Sequence, residues 1–277
     1  MKKYKNIVFG SSSLIGVEII KYLDIKKTIF TSRKFSKNER KINWKKIDLN
    51  KDSLEVLPKK IKKIFFLASP HYTKKNLNNP KIFENEFKWI KKILNYFEFD
   101  QIIYISSSSV YYKESDIGKV KIMIENFLKT KNIKYLQIWR PFNLVGVNNH
   151  KISDHFHNLL LKNKENSLIF DGNPNSKRGY SSVKKFALTI FNRSKLKESF
   201  VLNYRNKNML KVINIVEIFN KILKEKKKKF LKYEFKKKND KKKYVTNLKE
   251  NLNVKTIYSR EKSEKVLIEY FRENLKK

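Results

Sequence analysis

Cysteine is absent from this sequence of 277 residues, which excludes a disulfide scaffold, a thiolate zinc site and a cysteine nucleophile. Proline and glycine are scarce, at five and six residues. No apolar run reaches the roughly 18 residues that a membrane span needs. The first ten residues lack the long apolar core of a signal peptide. We therefore expect a cytoplasmic protein that makes no membrane contact.

Acidic residues are also few. The 65 Lys and Arg residues outnumber the 26 Asp and Glu residues and give a formal net charge of +39. Such a charge attracts polyanions, but Lys, Ile, Asn, Phe and Tyr are all abundant, which is the composition that AT-rich codons produce. Lysine far outnumbers arginine, the residue that reads bases best. We therefore rank nucleic-acid binding as the weakest hypothesis.

Apolar runs alternate with amphipathic stretches along the first two thirds of the chain. This alternation predicts βαβ units and a parallel sheet with helices on both faces. We predict a Rossmann-type doubly wound α/β domain over residues 1–145. A small C-terminal α+β substrate lobe follows over 146–277, with 183–203 returning to the first domain. The predicted strands are 4–9, 28–31, 44–49, 62–68, 101–105, 134–139, 167–170 and 199–203, and the predicted helices are 14–23, 80–97, 119–128, 152–162, 183–194, 213–223 and 260–274.

A glycine and serine turn follows the first predicted strand. Gly10 and Gly16 flank the segment Ser-Ser-Ser-Leu-Ile, and Ser13 stands where a middle glycine often occurs. In a dinucleotide-binding turn the first glycine permits the tight bend and the last lets the helix approach the sheet. The helix N-terminus then offers N–H groups to a pyrophosphate. A plain serine cap of the helix is the alternative interpretation.

The second predicted strand ends in Thr31-Ser32-Arg33-Lys34. Folds of this kind that prefer NAD commonly place an acidic residue here to bind the ribose hydroxyl. Arg33 and Lys34 instead suit the 2′-phosphate of NADP. We predict NADP as the cofactor, with NAD as the alternative, while noting that exposed cations are common in so basic a chain.

Several segments together resemble the extended short-chain dehydrogenase/reductase family, the NAD(P)-dependent nucleotide-sugar epimerases and dehydratases. The resemblance covers nearly the whole chain. The matching segments are IVFGSSSLIG at 7–16, Asp48-Leu49, Leu67-Ala68-Ser69, Asn85, IIYISSSSVYY at 102–112, Gly118 with Lys121 and Glu125, and Arg140-Pro-Phe-Asn-Leu-Val-Gly146.

The resemblance implies a cofactor site and a substrate site. In the family a serine hydrogen-bonds the substrate oxygen and a lysine binds the nicotinamide ribose. The implied cofactor-binding residues are Gly10, Ser12, Ser13, Leu14, Ile15, Gly16, Arg33, Asp48, Leu49, Leu67, Ala68, Ser69, Lys121 and Pro141. The implied substrate-binding residues are Ser107, Ser108 and Asn143, and the implied catalytic residues are Ser107 and Lys121, to which we add Tyr112 as the candidate for proton transfer.

The family's catalytic tyrosine is missing from its usual place. It stands four residues before the lysine, where this chain has Ile117, a side chain that cannot transfer a proton. Tyr112 is the preferred substitute, because Tyr111 matches a family position with another role. We expect at most one of the two to face the site, since neighbouring residues of a strand point in opposite directions. His71 is a weaker candidate.

We expect a nucleotide-sugar epimerase or reductase that transfers hydride, and a homodimer is a candidate assembly. The alternative is a catalytically inactive relative that binds a dinucleotide or nucleotide sugar as a sensor or scaffold. His155 and His157 have no carboxylate or cysteine partners at metal-ligand spacing, so no metal is expected. Ser107 and Lys121 favour an enzyme, whereas Ile117 favours the inactive relative.

Overall fold

We analysed a computed structural model of the chain, which describes residues 4–33, 43–70, 80–112, 115–146, 156–163, 165–236 and 254–275. Three residues named in the sequence analysis, Lys34, His71 and His155, lie outside these residues. Among the helices that are described, none combines the length and the apolar character needed to cross a bilayer.

The strands alternate with helices along the chain. The strands are β1 (Asn6–Phe9), β2 (Thr28–Ser32), β3 (Trp44–Lys46), β4 (Lys63–Phe66), β5 (Gln101–Ile105), β6 (Tyr135–Pro141), β7 (Leu144–Val145), β8 (Ser167–Asp171), β9 (Lys177–Arg178), β10 (Ser181–Ser182), β11 (Phe200–Asn206), β12 (Leu210–Lys211), β13 (Lys232–Lys236) and β14 (Thr256–Ser259). The α-helices are α1 (Leu14–Ile19), α2 (Pro80–Tyr96), α3 (Asp116–Lys129), α4 (Phe156–Lys162), α5 (Val183–Arg193), α6 (Val212–Glu225) and α7 (Ser263–Asn274).

The described residues form a central eight-stranded sheet in the order β14-β11-β6-β5-β4-β1-β2-β3. The pairs β1–β2, β1–β4, β2–β3, β4–β5 and β5–β6 are all parallel. This arrangement confirms the predicted Rossmann-like α/β fold class. The carboxyl ends of these strands lie at one edge of the sheet, where folds of this type bind their ligands.

The strands form where the apolar runs are. Ile7, Val8 and Phe9 of β1 are fully buried, as expected for a strand covered on both faces. Helix α2 instead has apolar residues at helical spacing, and its Ile90 and Ile93 are buried in the core formed with the sheet. Burial of these apolar residues holds α2 against the sheet. This packing positions the sheet edge that carries the candidate site.

Some predicted boundaries differ from those in the structure. Helix α1 ends at Ile19 and a single 3-10 turn follows it, and β3 ends at Lys46 rather than at residue 49. Helix α3 begins at Asp116, three residues before its predicted start, because the Ser115 side chain caps it by accepting a hydrogen bond from the Gly118 amide.

The chain divides into two compact units. The first comprises Met1–Pro141, Val183–Asn203 and Asn251–Lys255, and the second comprises Phe142–Ser182, Tyr204–Glu250 and Thr256–Lys277. The second unit has its own apolar core, in which helices α6 and α7 pack together through residues such as Phe219 and Phe271. Its basic strand β13 pairs in parallel with β8.

Candidate functional site

The turn between β1 and α1 is built on two glycines that have no room for a side chain. Gly10 has a φ of +81°, and a Cβ atom there would lie 2.5 Å from the Ala68 amide nitrogen. A Cβ atom on Gly16 would lie 2.3 Å from the Gly10 carbonyl oxygen. Gly10 is therefore required for the turn to lie against the end of β4, and Gly16 for helix α1 to lie against the turn.

The three serines of this turn have different roles. Ser11 is buried, donates to the Val8 carbonyl at 3.0 Å and accepts from the Thr31 amide at 3.1 Å, so it joins β1 to β2. Ser13 caps α1 by accepting from the Gly16 amide at 3.0 Å. Ser12 is exposed. Our sequence analysis included Ser12 and Ser13 but missed Ser11, whose role depends on the neighbouring strand.

Two predicted residues form the first turn of helix α1. Leu14 and Ile15 are half-buried and directly follow the Ser13 cap. They lie beside the glycine turn. Their contact with a cofactor stays a prediction.

The predicted adenosine contacts lie at the same edge of the sheet. Arg33 is exposed and directly follows β2, whose Thr31 pairs with Phe9 of β1. This register places Arg33 beside the glycine turn. Asp48 is half-buried and accepts a hydrogen bond from the Asn50 amide at 3.0 Å, whereas Leu49 is buried in the core.

The segment after β4 contacts the glycine turn through its backbone. The Leu67 amide donates to the Phe9 carbonyl at 2.9 Å, and Ala68 lies under Gly10. Ser69 is exposed, and its hydroxyl donates to the Glu86 carboxylate at 3.2 Å. The end of β4 is thereby linked to helix α2.

The serine segment after β5 is a turn rather than a continued strand. Ser107 accepts a hydrogen bond from the Ser109 amide at 3.1 Å, and a 3-10 helix covers Ser108–Tyr111. Ser107 and Ser108 are half-buried at the sheet edge. The expectation that strand alternation separates Tyr111 from Tyr112 is therefore wrong, because neither residue belongs to a strand.

The two tyrosines nevertheless have different surroundings. The Tyr111 hydroxyl donates to Asn203 at 2.6 Å and accepts from Arg140 at 2.9 Å. Tyr112 follows the 3-10 turn and its side chain is 39% exposed. The engaged Tyr111 is unsuited to proton transfer, whereas the role of Tyr112 stays a prediction.

Lys121 lies on α3 and is almost completely buried, with 4% exposure. Its ammonium donates to the Glu86 carboxylate at 2.6 Å and to the Ile105 carbonyl at 3.0 Å. Ile117 stands one turn earlier on the same helix and is half-buried. The side chain at the tyrosine position is thus apolar, and the charge that balances Lys121 comes from α2.

A second buried ion pair lies next to the first. Arg140 donates to both Glu125 carboxylate oxygens, at 2.9 and 2.6 Å, and Ser106 donates to Glu125 at 2.5 Å. Burial works against the charge of Arg140, but the hydrogen bonds and charges of Glu125 and Tyr111 outweigh it and raise the pKa of Arg140. This network fixes α3 against β6 and the turn after β5.

The last two predicted residues lie where β6 ends. Pro141 is its final residue and is half-buried. Asn143 belongs to the second unit, has a φ of +34° and donates through its side-chain amide to the Gly179 carbonyl at 3.2 Å. Asn143 therefore has a structural role within that unit, and its predicted substrate contact stays untested.

The first unit places the glycine turn, Arg33, Ser69, Ser107 and Lys121 at the carboxyl ends of β1, β2, β4 and β5. Our sequence analysis did not include Glu86. The signal that could have identified it is an acidic residue within the apolar stripe of α2, at helical spacing from Ile90. Among the described residues no group of three or more His, Cys, Asp or Glu side chains could hold a metal ion.

No family model and no curated protein matches the chain, but many solved structures do. A UDP-N-acetylglucosamine 4-epimerase from Methanobrevibacter ruminantium M1, in complex with UDP-N-acetylmuramic acid, has a TM-score of 0.73 at 20% identity, covering 100% of this chain and 98% of its own. The NAD-dependent NDP-hexosamine 5,6-dehydratase TunA, involved in tunicamycin biosynthesis, has a TM-score of 0.72 at 14% identity, covering 99% and 97%. RMD from Pseudomonas aeruginosa, complexed with NADPH, has a TM-score of 0.61 at 13% identity, covering 97% and 99%.

These similarities extend over the full length of both chains. The fold predicted from the resemblance is therefore confirmed: this chain has the same fold as the UDP-N-acetylglucosamine 4-epimerase and the NDP-hexosamine 5,6-dehydratase.

Proposed function

We propose that this chain binds a nicotinamide dinucleotide, NADP in preference to NAD, and acts by hydride transfer on a nucleoside-diphosphate sugar as an epimerase or reductase. The observation that carries this proposal is the glycine turn, in which Gly10 leaves no room for a side chain beside the end of β4 and Gly16 leaves none beside the turn itself. The structural neighbours support the same class, since they include an epimerase in complex with a UDP-sugar and an NAD-dependent dehydratase.

The residues at the sheet edge fit such a cofactor. The Gly10 turn presents backbone and the exposed Ser12 to a pyrophosphate, an arrangement that suits close approach of phosphate groups. Arg33 is exposed and suits a charge-assisted hydrogen bond to a 2′-phosphate. Asp48 and Leu49 suit the adenine, and Lys121 suits the nicotinamide ribose.

When bound, the nicotinamide supplies the hydride donor or acceptor. Ser107 donates a hydrogen bond to the reacting oxygen of the sugar and so stabilises the charge that develops there. Lys121 adds a positive charge near the same place. The proton that accompanies the hydride comes from Tyr112 or from water, because Ile117 has no proton to give.

Dinucleotide titrations and substrate assays test the proposal. The purified protein is expected to bind NADPH and NADH, measured by nicotinamide fluorescence, and to convert at least one UDP-sugar. Ser107→Ala should leave dinucleotide affinity nearly intact and lose turnover, whereas Lys121→Met should weaken the affinity itself. Failure of the parent to bind either dinucleotide overturns the proposal. Binding without turnover of any UDP-sugar supports the inactive sensor or scaffold instead.

A further inference from the structure

Glu86 lies at the centre of a buried polar cluster and is itself fully buried. One carboxylate oxygen accepts from the Lys121 ammonium at 2.6 Å and from the Tyr104 hydroxyl at 3.0 Å. The other accepts from the Ser69 hydroxyl at 3.2 Å. A single side chain on α2 thus connects α3 with the ends of β4 and β5.

These contacts hold the Lys121 ammonium on several sides. Besides Glu86, it donates to the Ile105 carbonyl at 3.0 Å and lies 5.0 Å from the centre of the Tyr104 ring. A buried ammonium is costly unless it is paired and hydrogen-bonded. These partners therefore set the position of the Lys121 ammonium, and Glu86 is the charged partner among them.

The neighbouring ionisable groups are committed elsewhere. Glu125, one turn further along α3, is bound by both Arg140 and Ser106. Tyr111 contacts Arg140 and Asn203. Among the described residues, the carboxylate that reaches Lys121 is that of Glu86.

We propose that Glu86 is a positioning residue, which holds the Lys121 ammonium where it can bind the ribose of the nicotinamide half of the dinucleotide. This inference rests on the proposed function. The α3 residue one turn before Lys121 is the uncharged Ile117, and the carboxylate that pairs with Lys121 comes from α2. Glu86 itself does not need to touch the cofactor.

A comparison of a whole dinucleotide with its adenosine half tests this role. The proteins are the parent, Glu86→Gln, Lys121→Met and the double variant, and the probes are NADPH and adenosine 2′,5′-bisphosphate. Glu86→Gln should weaken NADPH binding about tenfold, as expected when a charged hydrogen-bonding partner is misplaced. It should leave the affinity for adenosine 2′,5′-bisphosphate unchanged, because this probe does not reach Lys121.

The double variant shows whether Glu86 acts through Lys121. Its NADPH affinity should equal that of Lys121→Met, and this comparison holds even if Glu86→Gln alone fails to fold, since the double variant removes both buried charges together. A further loss in the double variant would contradict the inference, as would equal weakening of both probes by Glu86→Gln.

Glu125→Gln is the matched control. It also removes a buried carboxylate from an ion pair with a cationic side chain. It should not alter the ratio of the affinities for NADPH and adenosine 2′,5′-bisphosphate. A change of that ratio as large as in Glu86→Gln would show a general effect of buried charge and overturn the inference. If the parent binds neither dinucleotide, the proposed function fails as well, whereas an unchanged NADPH affinity in Glu86→Gln refutes the positioning role alone.

Discussion

Arg33 is the residue on which the choice between the two dinucleotides depends. It is exposed at the end of β2, beside the glycine turn. If it binds a 2′-phosphate, Arg33→Ala should lose about 1–3 kcal/mol of binding free energy for NADPH, the range expected for hydrogen bonds between charged groups.

The control for this variant is NADH, which lacks the 2′-phosphate and whose affinity should hardly change. Fluorescence titration of both dinucleotides with parent and variant measures the difference. Equal affinity of the parent for NADPH and NADH would refute the preference.

Tyr112 and Ile117 decide how a proton could be delivered. Tyr112 is 39% exposed, whereas Tyr111 is bound to Arg140 and Asn203. If Tyr112 transfers the proton, Tyr112→Phe should lower turnover by a factor of about 10²–10⁴, the contribution typical of general acid–base catalysis. The measurement is kcat with the best UDP-sugar.

Ile117→Tyr is the complementary variant, because it restores a hydroxyl one turn before Lys121. If Tyr112→Phe loses nothing while Ile117→Tyr creates activity, the parent has no proton relay and its role is binding rather than catalysis.

At the scale of elements, the contact between α3 and the 3-10 turn before it depends on Gly118. A Cβ atom there would lie 2.2 Å from the Ser109 carbonyl oxygen. Gly118→Ala should therefore move the start of α3 away from the turn and destabilise the protein by about 1–3 kcal/mol, the cost typical of overpacking.

Helix propensity acts in the opposite direction at this position, since alanine is favoured over glycine within a helix by about 1 kcal/mol. The sign of the change thus separates the two effects. Lys119→Ala, at the exposed next position, is the control and should be nearly neutral. Chemical denaturation measures both variants, and a stabilised Gly118→Ala protein would contradict the packing contact.

At the scale of the whole molecule, buried ionisable groups make stability depend on pH. Burial, followed by the nearby charge of Lys195, lowers the pKa of Lys63 from 10.5 to about 8. Between pH 8 and 10.5 the unfolded chain therefore holds a proton that the folded chain has released. The free energy of unfolding should rise with pH over this interval.

Tyr180 has the opposite effect. Its hydroxyl lies near Arg178 without a hydrogen bond of normal geometry, and burial, only partly offset by Arg178, raises its pKa from 10.0 to about 12. The stability that it contributes is complete below pH 10 and is lost as the pH rises toward 12. Burial also raises the pKa of Tyr270.

The pKa shifts of Lys63 and Tyr180 predict that stability rises from pH 8 to about pH 10 and falls above pH 10. Denaturation curves at pH 7.5, 10 and 11.5 test this. Tyr180→Phe should flatten the fall above pH 10, and Lys63→Met should flatten the rise below it. A parent protein most stable at pH 7.5 would refute the prediction.

The sequence by itself determined the glycine turn, the helices α1 to α7 and the strands β1 to β6, β8 and β11, but it did not predict the strands β7, β9, β10, β12, β13 and β14. Apolar runs and helical spacing act over a few residues, and a chain with only six glycines keeps Gly10 and Gly16 where the backbone needs them. The resemblance to the nucleotide-sugar epimerases, rather than these local signals, indicated Ser107 and Lys121, and the structure has Ser107 just after β5 and Lys121 within α3.

Only the tertiary structure decided which buried charged and polar side chains pair. Glu86 and Lys121 are 35 residues apart, and Tyr111 and Asn203 are 92 apart. It also converted the serine segment after β5 into a 3-10 turn, which invalidated the strand alternation expected for Tyr111 and Tyr112. Local pattern determines elements because it acts along the chain. The partners of a buried charge depend on which elements the packed core brings together, and no local pattern carries that information.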